Sequence, residues 1–305
     1  MRANLLLLTA LLVSPIVACG DGTPAEPSIQ TEEPANIVFY SRRGGTLAKI
    51  YTMKPDGSGV EALTDGVGND LWPDLSPDGR RVVFTSSRGG DNDIYVLELA
   101  TRTVTSLTRD PADDNWPRWS PDGREIAFHS NRGGNYDIFV MGADGSNPRR
   151  VTRDPALDQW AEWSPDGRRL AFRRANDIHV ADAGGEEQNV VQLTFVLTSI
   201  NQMPAWSPNG RQIAFMSMRD GYCAVFLMEA TGGTQVNLTP KDPADAASAW
   251  CSRAPTWSRD GRQIYFMSLR PSTAADVELF GIDADGSDLV RLTTSPGEDG
   301  GPRTR

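Results

Sequence analysis

The amino-acid sequence contains an internal repeat that recurs at intervals of roughly 44 residues. Copies of the tetrapeptide Ser-Pro-Asp-Gly, or a close variant of it, begin at Ser76, Ser120, Ser164, Ser207 and Ser258. A hydrophobic residue followed by threonine closes each copy, at 63–64, 107–108, 151–152, 193–194, 238–239 and 292–293. Such a period indicates that each copy is one supersecondary unit, which buries its apolar faces against its neighbours.

Each copy has the pattern of four short β-strands. In the copy at 116–152, apolar runs of strand length are separated by turns with the sequences Pro-Asp-Gly and Asp-Gly-Ser. No segment has the 3.6-residue period of a helical repeat. Four-stranded antiparallel units of this length are typical of β-propeller blades, and residues 36–305 provide about six of them. The chain is therefore predicted to be all-β and to form a six-bladed β-propeller.

Most of the tryptophans recur at two fixed positions of the repeat. The first set is Trp72, Trp116 and Trp160, and the second set is Trp119, Trp163, Trp206 and Trp257. Because large aromatic side chains at a fixed blade position supply much of the buried apolar area, we expect both sets to pack between neighbouring blades.

The first and last copies complement each other. The first copy begins at Asn36 with a segment that matches the second strand of other copies, so its own first strand is missing. Residues 299–305 align with 114–120, the first strand of another copy. We therefore predict that the C-terminal strand pairs into the N-terminal blade and closes the ring, which leaves no open sheet edge there.

The first 18 residues have the pattern of a secretory leader, in which Arg2 precedes an apolar run from Leu5 to Val13. This run is shorter than the ~20 residues of a membrane-spanning helix. Residues 16–19, Ile-Val-Ala-Cys, resemble the lipobox of bacterial lipoproteins. That resemblance implies that Cys19 is lipidated and that residues 19–35 form a flexible tether. It also implies an exported protein on the periplasmic or cell-surface side, held to a membrane by the lipid alone.

The repeat itself resembles a known family. The sequence Trp-Ser-Pro-Asp-Gly-Arg occurs at 119–124 and 163–168. It is followed by Ser-x-Arg-Gly-Gly in several copies and by Asp-Ile-Tyr/Phe-Val before the closing threonine. This motif is similar to the repeat of TolB-type β-propellers. The resemblance covers the region 36–305 and implies the propeller fold, which serves many unrelated functions.

Composition argues against several classes of function. The chain has 40 acidic and 30 basic residues, so a nucleic-acid partner is not expected. Its two histidines, His129 and His179, occupy different positions of the repeat, and we interpret both as structural. No nucleophile elbow, zinc-binding helix or phosphate-binding loop occurs in the sequence. We therefore expect no catalytic residues, no metal site and no cofactor.

Two cysteines follow the leader region. Cys223 lies just after the second strand of its copy, and Cys251 lies in the longest loop between copies, so both are placed at the same end of neighbouring blades. Because disulfides persist in exported proteins, we expect a Cys223–Cys251 disulfide, and two unpaired cysteines are the alternative.

An arginine follows the second strand of every copy, at Arg43, Arg88, Arg132, Arg174, Arg219 and Arg270. Two interpretations of this series are open. In the first, each guanidinium group fixes a loop by bridging to an aspartate or a carbonyl. Alternatively, they form a ring of positive charge around one mouth of the channel.

The loops from one copy to the next emerge on the same face as these arginines. They contain Asp70, Asp114, Asp158 and Trp250. Since loops at the rim of a rigid scaffold are where binding residues concentrate, these residues and the arginines are candidates for a binding face. The function that we predict is a non-enzymatic, monomeric module that binds a protein or peptide.

Two other functions are kept open. One is a carbohydrate-binding or carbohydrate-active propeller that uses carboxylates such as Asp158 and Glu162, which requires the two groups to face one pocket. The other is a small-ligand sensor, which requires an open channel lined by polar side chains.

Overall fold

The computed structural model describes residues 36–195, 198–241, 251–269 and 276–304. Every regular element in these ranges is a β-strand. The predicted lipidation site Cys19 and the binding-face candidates Trp250 and Arg270 lie outside the described residues, as do the leader and the tether. Within the described ranges, no helix has the length and apolar character needed to cross a membrane.

The strands fall into successive groups along the chain. The first group is β1 (Ile37–Ser41), β2 (Lys49–Met53) and β3 (Glu61–Ala62). The second is β4 (Asp70–Leu75), β5 (Arg81–Ser86), β6 (Asp93–Glu98) and β7 (Thr103–Ser106). The third is β8 (Asp114–Trp119), β9 (Glu125–Ser130), β10 (Asp137–Gly142) and β11 (Arg149–Arg150). The fourth is β12 (Asp158–Trp163), β13 (Arg169–Arg174), β14 (Asp177–Asp182) and β15 (Val191–Gln192). The fifth is β16 (Asn201–Trp206), β17 (Gln212–Ser217), β18 (Ala224–Glu229) and β19 (Gln235–Asn237). The sixth is β20 (Cys251–Trp257), β21 (Gln263–Leu269), β22 (Glu278–Asp283) and β23 (Val290–Arg291), and β24 (Asp299–Arg303) follows it.

These strands form six four-stranded antiparallel sheets, which confirms the predicted six-bladed propeller. In blades 2 to 6 the four strands pair in chain order. The second and third strands of a blade are almost continuously buried, as in β5 and β6, because both faces of a blade pack on neighbours. For example, Val83 and Ile94 of blade 2 contact Trp119 and Phe128 of blade 3 in one apolar cluster. The core is thus a series of layers between blades.

Blade 1 is completed by the end of the chain, as predicted. Its strand order is β24, β1, β2, β3. The strand β24 pairs antiparallel with β1, with Val38 opposite Arg303 and Ser41 opposite Asp299. The inner strands of the six blades are therefore β24, β4, β8, β12, β16 and β20.

The propeller has two distinct faces. We call the face with the blade-to-blade loops and the loops between second and third strands the upper face, and the opposite face the lower face. The Ser-Pro-Asp-Gly turns lie on the lower face, where Asp78 Oδ1 accepts hydrogen bonds from Ser76 Oγ and from the backbone N–H of Arg80. Adjacent turns contact each other, since a Cβ on Gly123 would lie 3.5 Å from the Cδ of Pro77 in the preceding blade. These contacts join the turns into a collar around the lower mouth.

Each inner strand contains a bulge, which the sequence did not indicate. In β4 the pairing register with β5 shifts between Leu71 and Asp74, so Trp72 and Pro73 together oppose Phe84. Proline is tolerated at such a bulge because the ladder needs no N–H there. The bulged residue has positive φ, between 52° and 57°, in every blade: Trp72, Trp116, Trp160, Met203, Ala254 and Gly301.

The bulged residues converge at the propeller axis. Trp72 and Trp116 have ring centroids 4.3 Å apart, and Trp116 and Trp160 have centroids 6.4 Å apart. Met203 and Ala254 belong to the same apolar cluster. A Cβ on Gly301 would lie 2.9 Å from the Trp72 ring, so only glycine fits there. The first tryptophan set thus packs around the axis, whereas the second set packs between blades as expected.

Candidate functional site

The upper-face arginines are held in buried bridges. In blade 3, the guanidinium of Arg132 donates to Ser130 Oγ at 2.9 Å and to Asp114 Oδ2 at 2.7 Å. It also lies over the rings of Phe128 and Phe139, at 5.4 and 5.1 Å from their centroids. Asp114 is fully buried, and burial raises the pKa of its carboxyl group. The bridge therefore fixes the loop after the second strand to the start of the inner strand.

The same kind of bridge recurs around the ring, and the residue that accepts the hydrogen bond differs from blade to blade. Arg88 donates to both carboxylate oxygens of Asp70, at 3.0 and 2.9 Å, and Arg43 donates to Asp299 at 2.7 Å. In blade 5 the acceptor is neutral, because Arg219 donates to the amide oxygen of Asn201 at 3.0 Å. These arginines also lie over two aromatic rings of their own blade.

In blade 4 the arginine of the bridge stands at a different position of the repeat. Arg174 is opposite Asp158 in the strand register, where the other blades have serine. Its guanidinium donates to Asp158 at 2.9 and 2.7 Å and also to Glu187. The arginine at 174 is therefore two residues earlier in the blade than its counterparts, because the turn after β13 is shorter.

The upper face has exposed charge of both signs, because Arg109 and Arg153 are exposed in the same loops as Asp110 and Asp154. Arg132 and Arg174 each contact a second carboxylate from the preceding loop, with Asp110 at 2.7 Å and Asp154 at 3.5 Å. Arg88 lies 3.8 Å from Asp65. The side chains of Asp65, Asp110 and Asp154 are 65%, 37% and 36% exposed. The arginine thus faces two carboxylates in blades 2 and 3 and three in blade 4, so these blades form no ring of unpaired positive charge.

The carboxylates considered for an enzyme do not share a pocket. Asp158 and Glu162 are separated by four residues of β12, which places them about 13 Å apart along the strand. Asp158 is fully buried against Arg174. Glu162 belongs to the opposite end of the channel, where Arg118 and Arg303 bind it. Neither group is arranged to act with the other on one glycosidic bond.

Cys223 and Cys251 form a disulfide. It joins blade 5 to the first residue of β20 in blade 6, next to the hydrogen bond from the Ser252 N–H to the Cys223 carbonyl at 2.9 Å. The disulfide thus anchors the end of the longest blade-to-blade loop, most of which lies outside the described residues.

At the middle of the channel, the bulged residues that the structure describes pack together around the axis. Trp116 is 2% exposed and packs with the other bulged residues around the axis. His129 lies beside this cluster, where its Nδ1 accepts a hydrogen bond from the Trp160 N–H at 3.4 Å. Burial lowers the pKa of His129 to about 3, so this imidazole is neutral. Within the described ranges, no group of three or more His, Cys, Asp or Glu is placed to hold a metal ion.

A pocket of about 280 Å³ opens at the lower end of the axis, below the tryptophan cluster. Its walls include the collar prolines and three tryptophans of the second set: Pro77, Pro121, Pro165, Pro208, Trp163, Trp206 and Trp257. Its floor is formed by the side chains two residues after each bulge. Those that line the pocket are Asp74, Glu162, Ala205, Thr256 and Arg303, and Arg259 lines it as well. Arg118 occupies the same position in blade 3 and is buried behind Glu162.

Charged groups at this floor are paired across the axis. Arg303 of blade 1 lies 2.8 Å from Glu162 Oε2 in blade 4, on the opposite side of the ring. Arg118 Nε lies 3.3 Å from the same oxygen. Asp74 Oδ2 accepts a hydrogen bond from the Trp119 N–H at 2.8 Å. Sequence analysis missed this pocket, although alignment of the six inner strands places all of its floor residues at one position.

Comparison with known proteins gives one family. The model of the TolB beta propeller domain matches residues 65–253. A protein TolB homolog from Chlorobium luteolum is 40% identical over 52 residues, which cover 17% of this chain and 12% of that protein. The Tol-Pal system protein TolB of Roseobacter denitrificans is 36% identical over 70 residues, covering 22% of this chain and 16% of that protein. The matched segments thus span less than a fifth of these relatives.

Solved structures share the architecture at low identity. The crystal structure of TolB from Acinetobacter baumannii has a TM-score of 0.76 at 22% identity, covering 88% of this chain and 66% of that chain. A chain of the nidogen/laminin complex has a TM-score of 0.69 at 13% identity, covering 88% and 98%. At these identities the likeness is one of fold alone.

Two matched substitutions test how much the charge of the acceptor contributes to these bridges. Arg132→Ala leaves the buried carboxylate of Asp114 without its cation and is expected to lower the free energy of unfolding by about 3 kcal/mol at neutral pH. Arg219→Ala removes the same stacking and hydrogen bonds but leaves a neutral amide, and should cost about 1 kcal/mol. Urea unfolding of both variants measures the difference.

The destabilisation caused by Arg132→Ala is expected to depend on pH. Because burial raises the pKa of Asp114, and the loss of Arg132 raises it further, the folded variant holds this proton more tightly than the unfolded chain. Its destabilisation should therefore be smaller near pH 4 than at pH 7. Equal costs for Arg132→Ala and Arg219→Ala at both pH values would contradict the bridge as a charged one.

Proposed function

The chain belongs to the TolB β-propeller family, and from this premise we propose that it is an exported, lipid-anchored scaffold that binds a protein partner at its upper face without catalysing a reaction. The observation that carries this proposal is the series of buried arginine bridges. They fix the upper loops to the inner strands, and the outer carboxylates Asp65, Asp110 and Asp154 remain partly exposed. A rigid rim of loops is suited to binding without a large loss of conformational entropy.

Loop length supports a specific part of the upper face. Four of the six blade-to-blade loops contain seven residues, as at 63–69 and 107–113. The loop at 238–250 contains thirteen and is pinned at its end by the Cys223–Cys251 disulfide. We propose that this loop, which contains the candidate Trp250, takes part in binding the partner.

Charge supports a basic partner. Asp65, Asp110 and Asp154 are partly exposed over blades 2 to 4, beside the exposed Arg109 and Arg153, and the whole chain has a formal charge of −10. Complementary charge steers association and suppresses wrong partners. The net negative charge of the chain therefore favours a protein surface rich in lysine and arginine.

The membrane anchor and the absence of catalysis are further parts of the proposal. The lipobox-like residues 16–19 support acylation of Cys19, and residues 19–35 serve as a tether that keeps the propeller clear of the membrane. The buried pairing of Asp158 and the engagement of Glu162 by two arginines support a non-enzymatic role.

Affinity capture tests the protein-binding face. The soluble chain from residue 20 onward is used as bait in native envelope extract, beside a variant with Asp65→Asn, Asp110→Asn and Asp154→Asn. Asparagine keeps the oxygen that caps each loop but removes the charge. We expect a partner that the unaltered chain retains, that the variant loses at least tenfold, and that elutes with added salt.

The matched control removes three charges from the lower face by Asp78→Asn, Asp122→Asn and Asp166→Asn. Asn209 already forms this turn in blade 5, where Ser207 Oγ donates to it at 2.8 Å, so the control should fold. Retention that falls equally in both variants would mean that net charge, rather than the upper face, governs binding.

The anchor is tested separately. Cys19→Ser removes the thiol that would be acylated, so the protein is expected to move from the membrane fraction to the soluble extracytoplasmic fraction. Fractionation with immunoblotting measures the shift. Unchanged membrane association of Cys19→Ser would overturn the lipid anchor while leaving the binding face untouched.

A further inference from the structure

We propose that Asp137 is a pH-sensitive switch at the junction of blades 3 and 4, which takes up a proton as the pH falls from 7 to 5 and thereby strengthens that junction. Asp137 is the first residue of β10, and its side chain is fully buried. It belongs neither to the arginine bridges at the inner strands nor to the lower pocket. The inference therefore does not depend on the proposed function.

The position of Asp137 in the repeat is acidic in four blades. In the other three of them, the threonine that closes the blade donates a hydrogen bond to this acid. The pairs are Thr108 with Asp93 at 3.1 Å, Thr194 with Asp177 at 2.7 Å, and Thr293 with Glu278. One carboxylate oxygen of each acid thus accepts from a neutral donor in its own blade.

Blade 3 departs from this arrangement. The hydroxyl of its closing residue, Thr152, is hydrogen-bonded to Asp158 of blade 4 instead. Asp137 Oδ2 is bound by Arg150, but the buried Oδ1 accepts no hydrogen bond from the described residues. A buried, charged acceptor that lacks a donor is costly. Protonation of Asp137 removes the charge and so lowers this cost.

The cations at this junction are shared among several carboxylates. Arg150 of β11 contacts Asp137. The next guanidinium, Arg174 of β13, contacts three other carboxylates, which are Asp154 at 3.5 Å, Asp158 at 2.7 Å and Glu187. Two buried or half-buried arginines thus serve four carboxylates, and a proton on Asp137 reduces the repulsion between them.

The remaining charged groups nearby have other partners or are exposed. Arg132, in the loop after β9, is bound by Asp110 and Asp114. Arg153, in the loop after β11, is exposed. On the side of blade 4, burial lowers the pKa of His179 in β14, so this imidazole adds no positive charge at neutral pH.

The electrostatics of Asp137 give the direction of the switch. Burial raises its pKa to about 6, an effect that Arg150 opposes and that the charges of Asp158 and Glu187 increase. The pKa of aspartate in an unfolded chain is ~3.9, so the folded chain binds the proton more tightly. The stability that this proton contributes is fully present below about pH 4, and it is lost as the pH rises through about 6.

The contacts next to Asp137 extend to the upper loop between blades 3 and 4. Glu187 binds Arg174 and accepts a hydrogen bond from the backbone N–H of Arg153 at 3.1 Å. Because neutral Asp137 no longer repels Glu187, we expect both contacts to strengthen at lower pH. The loop that carries Asp154 is then held more firmly at pH 5 than at pH 7.

Urea unfolding at pH 5 and pH 7 tests the switch, on the chain from residue 20 onward, which contains all of the described strands. From pH 7 to pH 5, the folding equilibrium constant of the unaltered chain should rise about tenfold more than that of Asp137→Asn, because the variant has no carboxyl group to protonate.

Asp177→Asn is the matched control. Asp177 stands at the same position in blade 4, but Gln192 and Thr194 donate to its two carboxylate oxygens. We expect Asp177→Asn to keep the pH dependence of the unaltered chain between pH 5 and pH 7. An equal pH dependence in the unaltered chain and in Asp137→Asn, or an equal loss of it in Asp177→Asn, would overturn the proposal.

A second measurement decides if Asp137→Asn does not fold. Carbon-13 NMR follows the carboxyl carbon of Asp137 in the unaltered chain as the pH is varied. A titration midpoint above pH 5 supports the switch, and a midpoint below pH 5 overturns it.

Discussion

Hydrogen bonds between β1 and β24 join the last described strand to the first, and the geometry of both faces depends on this closure. The strand β24 supplies blade 1 with its inner strand. It also supplies Gly301 to the axis, Arg303 to the lower pocket and Asp299 to the upper bridges. Without it, six blades would form an open arc with exposed sheet edges.

The two faces have different chemistry, and the closing strand contributes a residue to each. Around the upper rim, the buried carboxylates Asp70, Asp114 and Asp299 anchor arginines within their own blades. At the lower end of the axis, Glu162 is instead bound by arginines from two other blades. The first arrangement stiffens each blade and its loops, whereas the second links blades across the ring and builds a pocket.

The repeat predicted the blade count, the strand order and the closing strand, because each depends on local patterns that recur in register. The bulge at Trp72 and Trp116 was not predictable, since positive φ at a tryptophan results from crowding of six strands at the axis. Likewise, the Arg303–Glu162 pair joins residues on opposite sides of the ring, and no sequence spacing relates them. Arg174 was aligned with the other arginines, but a shorter turn in blade 4 places it in the serine register. The bridge still forms, because Asp158 is directly opposite Arg174 in that register.

Thermal unfolding of a chain truncated after Glu298 tests the closure most directly. The account predicts a fall in Tm of about 10 °C or more, because blade 1 loses its inner strand and Glu162 loses Arg303. It further predicts that a synthetic peptide of residues 299–305, added in excess, raises the Tm again by binding to β1, whereas a scrambled peptide does not. An unchanged Tm after truncation would contradict ring closure by this strand.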